Sequence, residues 1–218
     1  MSNEKIKEFF NGLQDKEINS YTKYWTTIAP KSYQEYMQRW LFAYTSIHTT
    51  WRSNVRGYNA IKEIKKWEDD KALLTEKLKK SGVGLHNGRS KGIWEFKKLF
   101  ITNASSMQRK SWESWVAWRN RLVKSLYGIG FAKVSFALEM SYPTEANITC
   151  LDVHMLKLYD LDQTKSQDPA VYTEVEHDWV TRSRKRNVPP YIARCLYWDK
   201  KQKQKNSRYW SYVFERID

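Results

Sequence analysis

The chain has 218 residues, and its 38 Lys+Arg against 24 Asp+Glu leave a formal charge of +14, which favours a polyanionic partner, nucleic acid or an acidic membrane surface. Its 8 Phe, 11 Trp and 14 Tyr can fill a large core, so intrinsic disorder is excluded despite the charge. No apolar run approaches the ~18 residues of a membrane span, and the start, Met-Ser-Asn-Glu-Lys, lacks a signal-peptide core.

In chain order, Tyr36, Trp40, Ala43, Tyr44 and Ile47 recur at three- and four-residue steps and predict an amphipathic helix. Val55, Tyr58, Ile61 and Ile64 predict a second, and Leu73, Leu74 and Leu78 continue the pattern. Trp112, Trp115, Val116 and Arg119 open a further helix with Ser111 as its N-cap. No stretch alternates with period two around a hairpin turn. The expectation is an all-α protein.

The 8 glycines are about half the usual ~7%. Four fall between Gly82 and Gly92, and two form the doublet Gly128 and Gly130. Clustered glycine in a helical chain marks required turns or a close backbone approach. In Leu122–Leu138, LVKSLYGIGFAKVSFAL, an apolar helix ends at Gly-Ile-Gly and a second begins at once. Amide N–H groups at a helix start attract anions because they lie at the positive end of the helix dipole. The glycines let the turn close and a phosphate come near, while Ile129 points inward and pins the helices. A dinucleotide fold would need a strand before the turn, and there is none.

The segment Cys150-Leu-Asp-Val-His-Met-Leu-Lys-Leu-Tyr159 follows. Asp152 precedes a helical pattern of Val153, Leu156 and Tyr159 and suits an N-cap. The hairpin and this acid together resemble the helix-hairpin-helix DNA glycosylase superfamily, whose hairpin is followed by an aspartate opening the next helix. Leu-Asp-Val-His-Met is similar to the 8-oxoguanine branch. Gly84-Leu-His-Asn-Gly-Arg-Ser-Lys-Gly-Ile93 resembles the Gly-Leu-Tyr-Asn stretch of endonuclease III, which places Asn87 at a DNA-facing helix start. Ser46-Ile-His-Thr-Thr-Trp51 stands where that family has Ser-x-Gln-x-Thr, so His48 takes the place of a DNA-inserting glutamine. These landmarks span residues 36–160.

The resemblance implies two helical lobes around a cleft: 36–145 ending in the hairpin, and 1–35 plus 146–218 with a basic tail. It implies a monomer that acts on double-stranded DNA with an extruded base, not on a membrane. Asp152 would stabilise the positive charge that develops on the sugar and activate water. Gly128, Ile129, Gly130 and Ala132 would hold a neighbouring phosphate and His154 another, although an exposed helix histidine accounts for His154 equally well. Trp51, Tyr127 and Phe131 are the aromatics nearest the expected base pocket, where stacking offsets the cost of flipping. Trp198, Trp210 and Tyr212 could close it.

Members that also cleave the strand carry a lysine in the second hairpin helix. An ungapped register puts Ala132 at that position and Lys133 one residue, or about 100°, further round. Moving Lys133 into place would turn Glu139 inward, and an unpaired buried carboxylate is costly. This favours a water-using enzyme with Lys133 on a phosphate, and leaves strand cleavage through Lys133 as the alternative.

Ten Lys/Arg lie between Arg182 and Arg208, with Asp199 the single acid there. They add to Arg119, Arg121 and Lys124 leading into the hairpin, and predict DNA affinity that falls steeply with salt. The two cysteines, Cys150 and Cys195, are too few for a disulfide framework, a four-thiolate zinc site or an iron–sulfur cluster, and fit a cytoplasmic or nucleoid-associated setting. No cofactor is expected, although a monovalent or divalent cation at the hairpin is allowed. An oxidised purine is the favoured base. A viral hypermodified base, as for the thymine pyrophosphorylase-like offshoot, and a non-catalytic DNA binder are the alternatives.

Overall fold

The computed structural model describes residues 4–162, 164, 168–203 and 212–215, which form helices joined by turns with no strand among them. In chain order these are α1 (Glu4–Asn11), α2 (Asp15–Ile28), α3 (Tyr33–Thr45), α4 (Trp51–Ile61), α5 (Lys71–Lys80), α6 (His86–Thr102), α7 (Ala104–Met107), α8 (Trp115–Ser125), α9 (Phe131–Ser141), α10 (Val153–Leu158), α11 (Pro169–Lys185) and α12 (Pro190–Lys201). Single 3-10 turns lie at Ile64–Lys66 and Tyr212–Phe214. The all-α expectation holds.

Two boundaries differ from the sequence pattern. The helix α3 stops at Thr45, which leaves Ile47 in the loop beyond it, and Ile64 belongs to a 3-10 turn after α4. The cap of α8 is Ser114, whose hydroxyl accepts from the Ala117 amide at 3.1 Å, and not Ser111. The reason is tertiary: Arg121 draws Glu113 inward at 2.6 Å and holds residues 108–113 as a turn.

The chain forms two compact units, Pro30–Ala137 and Met1–Ala29 with Leu138–Asp218. The sequence reading drew the divisions at 36 and 145. The first falls at Pro30, just past the end of α2, where proline cannot continue a helix. The second falls within α9, because its two halves have different partners. Ser135 accepts from Arg119, and Phe136 lies 6.1 Å from Phe42. Glu139 instead accepts from Thr149 and Arg194.

In the first unit α3 packs on α4 and α6, and α5 on α4 and α6. Trp40 stacks on Phe96 at 5.3 Å, and Phe96 meets Phe100 at 5.2 Å. The buried Trp67 donates its indole N–H to the Ile61 carbonyl at 2.7 Å, which satisfies its polar end. In the second unit α12 packs on α2 and α11. Trp25 meets Tyr191 edge-on at 4.7 Å, and Trp179 lies against Phe9 and Phe10. Half of the ten described tryptophans are core material: Trp25, Trp40, Trp67, Trp118 and Trp179 are all fully buried.

Between α2 and α12, Asp199 is buried and accepts from the Tyr21 hydroxyl at 2.7 Å through Oδ2, and among the described residues Oδ1 has no partner. Burial raises its pKa from 3.8 to about 6, against the pull of the Tyr21 hydrogen bond. The charges around it are Glu17 and Lys200, which pair with each other at 3.3 Å, and Lys16. The carboxyl binds its proton more tightly folded than unfolded, so this contribution is complete below about pH 4 and is lost as pH rises through about 6. Asp199→Asn should therefore gain roughly 1–2 kcal/mol at pH 8 and lose that advantage at pH 4. Urea unfolding at the two pH values checks this.

Candidate active site

The Cys150–Tyr159 segment is built from an extended stretch with no sheet beside it, so side chains must satisfy its backbone. The Thr149 amide donates to Glu176 at 3.0 Å, and the Tyr172 hydroxyl donates to the Thr149 carbonyl at 2.8 Å and accepts from the Leu151 amide at 3.2 Å. Both partners stand on α11. The stretch therefore enters α10 on a fixed line, and Asp152 caps that helix.

Asp152 Oδ1 accepts from the His154 and Met155 amides at 2.9 and 3.0 Å. Its other oxygen meets Arg194 of α12 at 3.4 Å, and its side chain is 19% exposed, within reach of solvent. Arg194 is itself held by Glu139: Nη2 donates to Oε2 at 2.7 Å and Nε to Oε1 at 3.2 Å. The Thr149 hydroxyl also donates to Glu139, at 3.1 Å. Burial opposes the charge on Arg194, but the Glu139 carboxylate more than offsets it and holds the guanidinium above its ordinary range. His154 is half-buried, edge-on to Trp198 at 6.4 Å.

Glu139 corrects the lysine argument. It is fully buried, and paired. The cost of an unpaired carboxylate therefore does not arise, and its burial no longer distinguishes the two registers. Val134 is buried, but so is every residue from Val134 to Met140, so burial favours neither register. Lys133 and Ala132 are half-buried near the start of α9, with Lys133 Nζ 5.8 Å from the Phe136 ring centre.

In the other unit the hairpin joins α8 to α9. Gly128 has φ +73°, a conformation glycine adopts at little cost. Ile129 is buried, while Gly130 faces open space. The turn rests on α3 and α6, where the Tyr44 hydroxyl donates to the Tyr127 carbonyl at 3.3 Å. A Cβ on Gly92 would stand 3.0 Å from that same carbonyl, which explains the glycine in α6. Tyr127 is 50% exposed under Lys91, 4.1 Å from the ring centre. Phe131 is faced by Arg119 at 5.0 Å, and Trp51 at the start of α4 packs on Phe42.

One residue the sequence reading missed organises the remaining elements. Arg89 is buried and donates to the carbonyls of Gly84, Tyr44 and Thr45 at 2.8–2.9 Å, and to that of Ile47. With the Val83 carbonyl at 3.5 Å, five carbonyls thus replace a carboxylate, two of them in the last turn of α3, where the helix dipole favours a cation. The guanidinium ties the loop carrying His48 to the loop carrying Leu85. Both residues sit at φ +45°, a strained conformation for their types, and both are exposed, Leu85 by 60%. Asn87 is exposed in the first turn of α6.

The basic surface is smaller than the composition suggests. Arg119 is buried on Ser135 and Asn120, and Arg121 is paired with Glu113, leaving Lys124 exposed. Arg182 pairs with Asp178, Arg186 with Asp15 and Lys200 with Glu17. Lys185, Lys201 and Lys203 are exposed, whereas Lys205, Arg208 and Trp210 lie outside the described residues. Tyr212 is half exposed. Among the described residues no group of three His, Cys, Asp or Glu could hold a metal, and no helix is long and apolar enough to cross a membrane.

This arrangement, a glycine-turned hairpin and a later helix opened by an aspartate, has the fold of the helix-hairpin-helix DNA glycosylases. Solved structures bear this out. A Methanocaldococcus jannaschii 8-oxoguanine glycosylase/lyase, solved with a 15mer DNA containing 8-oxoguanine, matches with a TM-score of 0.71 and 20% identity over 93% of this chain and 97% of that one. An 8-oxoguanine DNA glycosylase of the same organism gives 0.65 and 21% over 91% and 89%. The Thermotoga maritima 8-oxoguanine DNA glycosylase gives 0.64 and 18% over 94% and 96%. The likeness extends well beyond residues 36–160. No family model and no curated protein sequence matches the chain.

The buried Arg194–Glu139 pair makes a prediction about stability. Arg194→Met alone strands a buried carboxylate and should cost about 3–5 kcal/mol. Adding Glu139→Gln removes that stranded charge, so the double variant should be more stable than Arg194→Met. Guanidinium unfolding of the three proteins reads the difference.

Proposed function

We propose that the chain is a DNA glycosylase that flips a damaged base out of duplex DNA and hydrolyses its N-glycosidic bond. The observation that carries this is Asp152: a solvent-reaching carboxylate, fixed through one oxygen by two amides and through the other by Arg194, at the position where the fold's hairpin is followed by an acid. Departure of the base leaves positive charge on the sugar. A carboxylate that need not reorient stabilises that charge and orients the attacking water. Carboxylate and water together carry the reaction, and the reading requires no cofactor.

The hairpin amides, with Gly130 leaving the start of α9 bare, suit a backbone phosphate. His48 and Leu85, displayed on strained loops by Arg89, suit the gap left in the stack by the extruded base. An oxidised purine of the 8-oxoguanine type is the proposed substrate, supported by Leu151-Asp-Val-His-Met155 and by the names of the structural neighbours. The ungapped register, which puts Ala132 at the lysine position, supports release by water, with Lys133 on a phosphate.

Asp152→Asn tests the carboxylate without losing the cap, since asparagine caps helices as well as aspartate. Single-turnover base release should fall on the order of 100-fold or more with DNA affinity retained; unchanged release would leave a DNA-binding protein. Mass spectrometry of bases freed from a panel of oxidised and hypermodified DNAs identifies the substrate. Borohydride should trap no covalent adduct, and an adduct that vanishes in Lys133→Ala would establish the lysine route.

A further inference from the structure

Trp112 stands apart from the other described tryptophans, which are buried or half-buried. It is 75% exposed. It sits in the turn between α7 and α8, and that turn is rigidly built. The Glu113 carboxylate is buried and takes two bonds from Arg121, at 2.6 and 2.8 Å, and one from the Lys110 amide at 2.9 Å. Arg121 also donates to the Gln108 carbonyl at 2.7 Å and to that of Ser106, and Arg109 donates to the Glu113 carbonyl at 2.7 Å. Trp118 below anchors Met107 through its indole N–H at 3.1 Å. The network holds the backbone on both sides of the exposed indole, so displaying it costs little further ordering on binding.

The surroundings of the indole are cationic. Lys110 Nζ lies 5.2 Å from the Trp112 ring centre, and Arg109 lies 5.2 Å from that of Trp115. Residues 103–112 contain no acid, and Glu113 points inward. Lys110 lies over one face of the exposed indole, and the other face suits a base with an open π-face next to a phosphate. Bases inside a duplex are already stacked and offer no such face.

We propose that the Trp112 turn is a second nucleic-acid contact, which stacks the indole on an unpaired base of single-stranded DNA while Lys110 and Arg109 meet its phosphates. The turn lies at the far end of α8 from the glycine hairpin, about 16 Å along the helix axis at 1.5 Å per residue. It is therefore a surface distinct from the hairpin. A single-stranded flank beside the duplex is the DNA it would select.

The test is fluorescence anisotropy of the full chain with labelled oligothymidine and with a blunt, undamaged duplex at one salt concentration. Trp112→Ala, on the surface, should keep the wild-type melting temperature. It should weaken single-strand binding by about 10-fold and leave duplex binding unchanged, and Trp112→Phe should restore most of the loss. Three outcomes overturn the proposal: no single-strand binding by the wild type, no loss in Trp112→Ala, or an equal loss on both DNAs. The second would leave the turn to a protein contact.

Discussion

A guanidinium that cannot leave its place organises the candidate active site. Arg194 is buried, and its charge is tolerable there because Glu139 takes two of its donors and Asp152 lies against a third. Glu139 is buried in turn and depends on Arg194, Thr149 and the Cys150 amide. Neither ion could stay without the other, since a lone charge in the interior is far more costly than a hydrogen-bonded pair. The geometric consequence matters more than the stability. One side chain from α12 sets α9 and the start of α10 in register, and Asp152 is oriented through both its oxygens.

The other unit uses cations in the same way. Arg89 joins five carbonyls from the end of α3 and the loops beside it, and Arg121 gathers a carboxylate and two carbonyls into the turn before α8. A chain with +14 formal charge thus uses several arginines internally, as planar donors that stitch irregular backbone together. Arg89, Arg119, Arg121 and Arg194 are framework. The charge left to meet a polyanion is carried more by exposed lysines, such as Lys91, Lys110, Lys124 and Lys185.

Local features proved legible in the sequence. The Gly-Ile-Gly turn was readable because Gly128 needs a backbone conformation that few other residues adopt at low cost. Asp152 was readable because capping depends on amides only two and three positions further on. Misreadings arose where the partner is distant in sequence. Ser111 and Ser114 are equally good caps on paper, and the bonds from Arg121 to Glu113 decide between them. Glu139 looked too costly to bury because its partner lies 55 positions away in the chain. Leu85 and His48 gave no signal of being displayed together, since the carbonyls beside His48 that Arg89 binds lie more than 40 positions before it.

The sequence alone determined that the chain is helical, that a glycine-turned hairpin lies near residue 129, and that a carboxylate opens the helix after it. Each of these follows from backbone preferences acting over a few residues. Only the tertiary structure decided which charges are buried and which face water, because a charge enters the interior only when folding brings a partner to it. Residue type carries no record of that meeting. The same arginine serves as framework at 194 and 89, while Trp112 is displayed and Trp118, in the next helix, is buried.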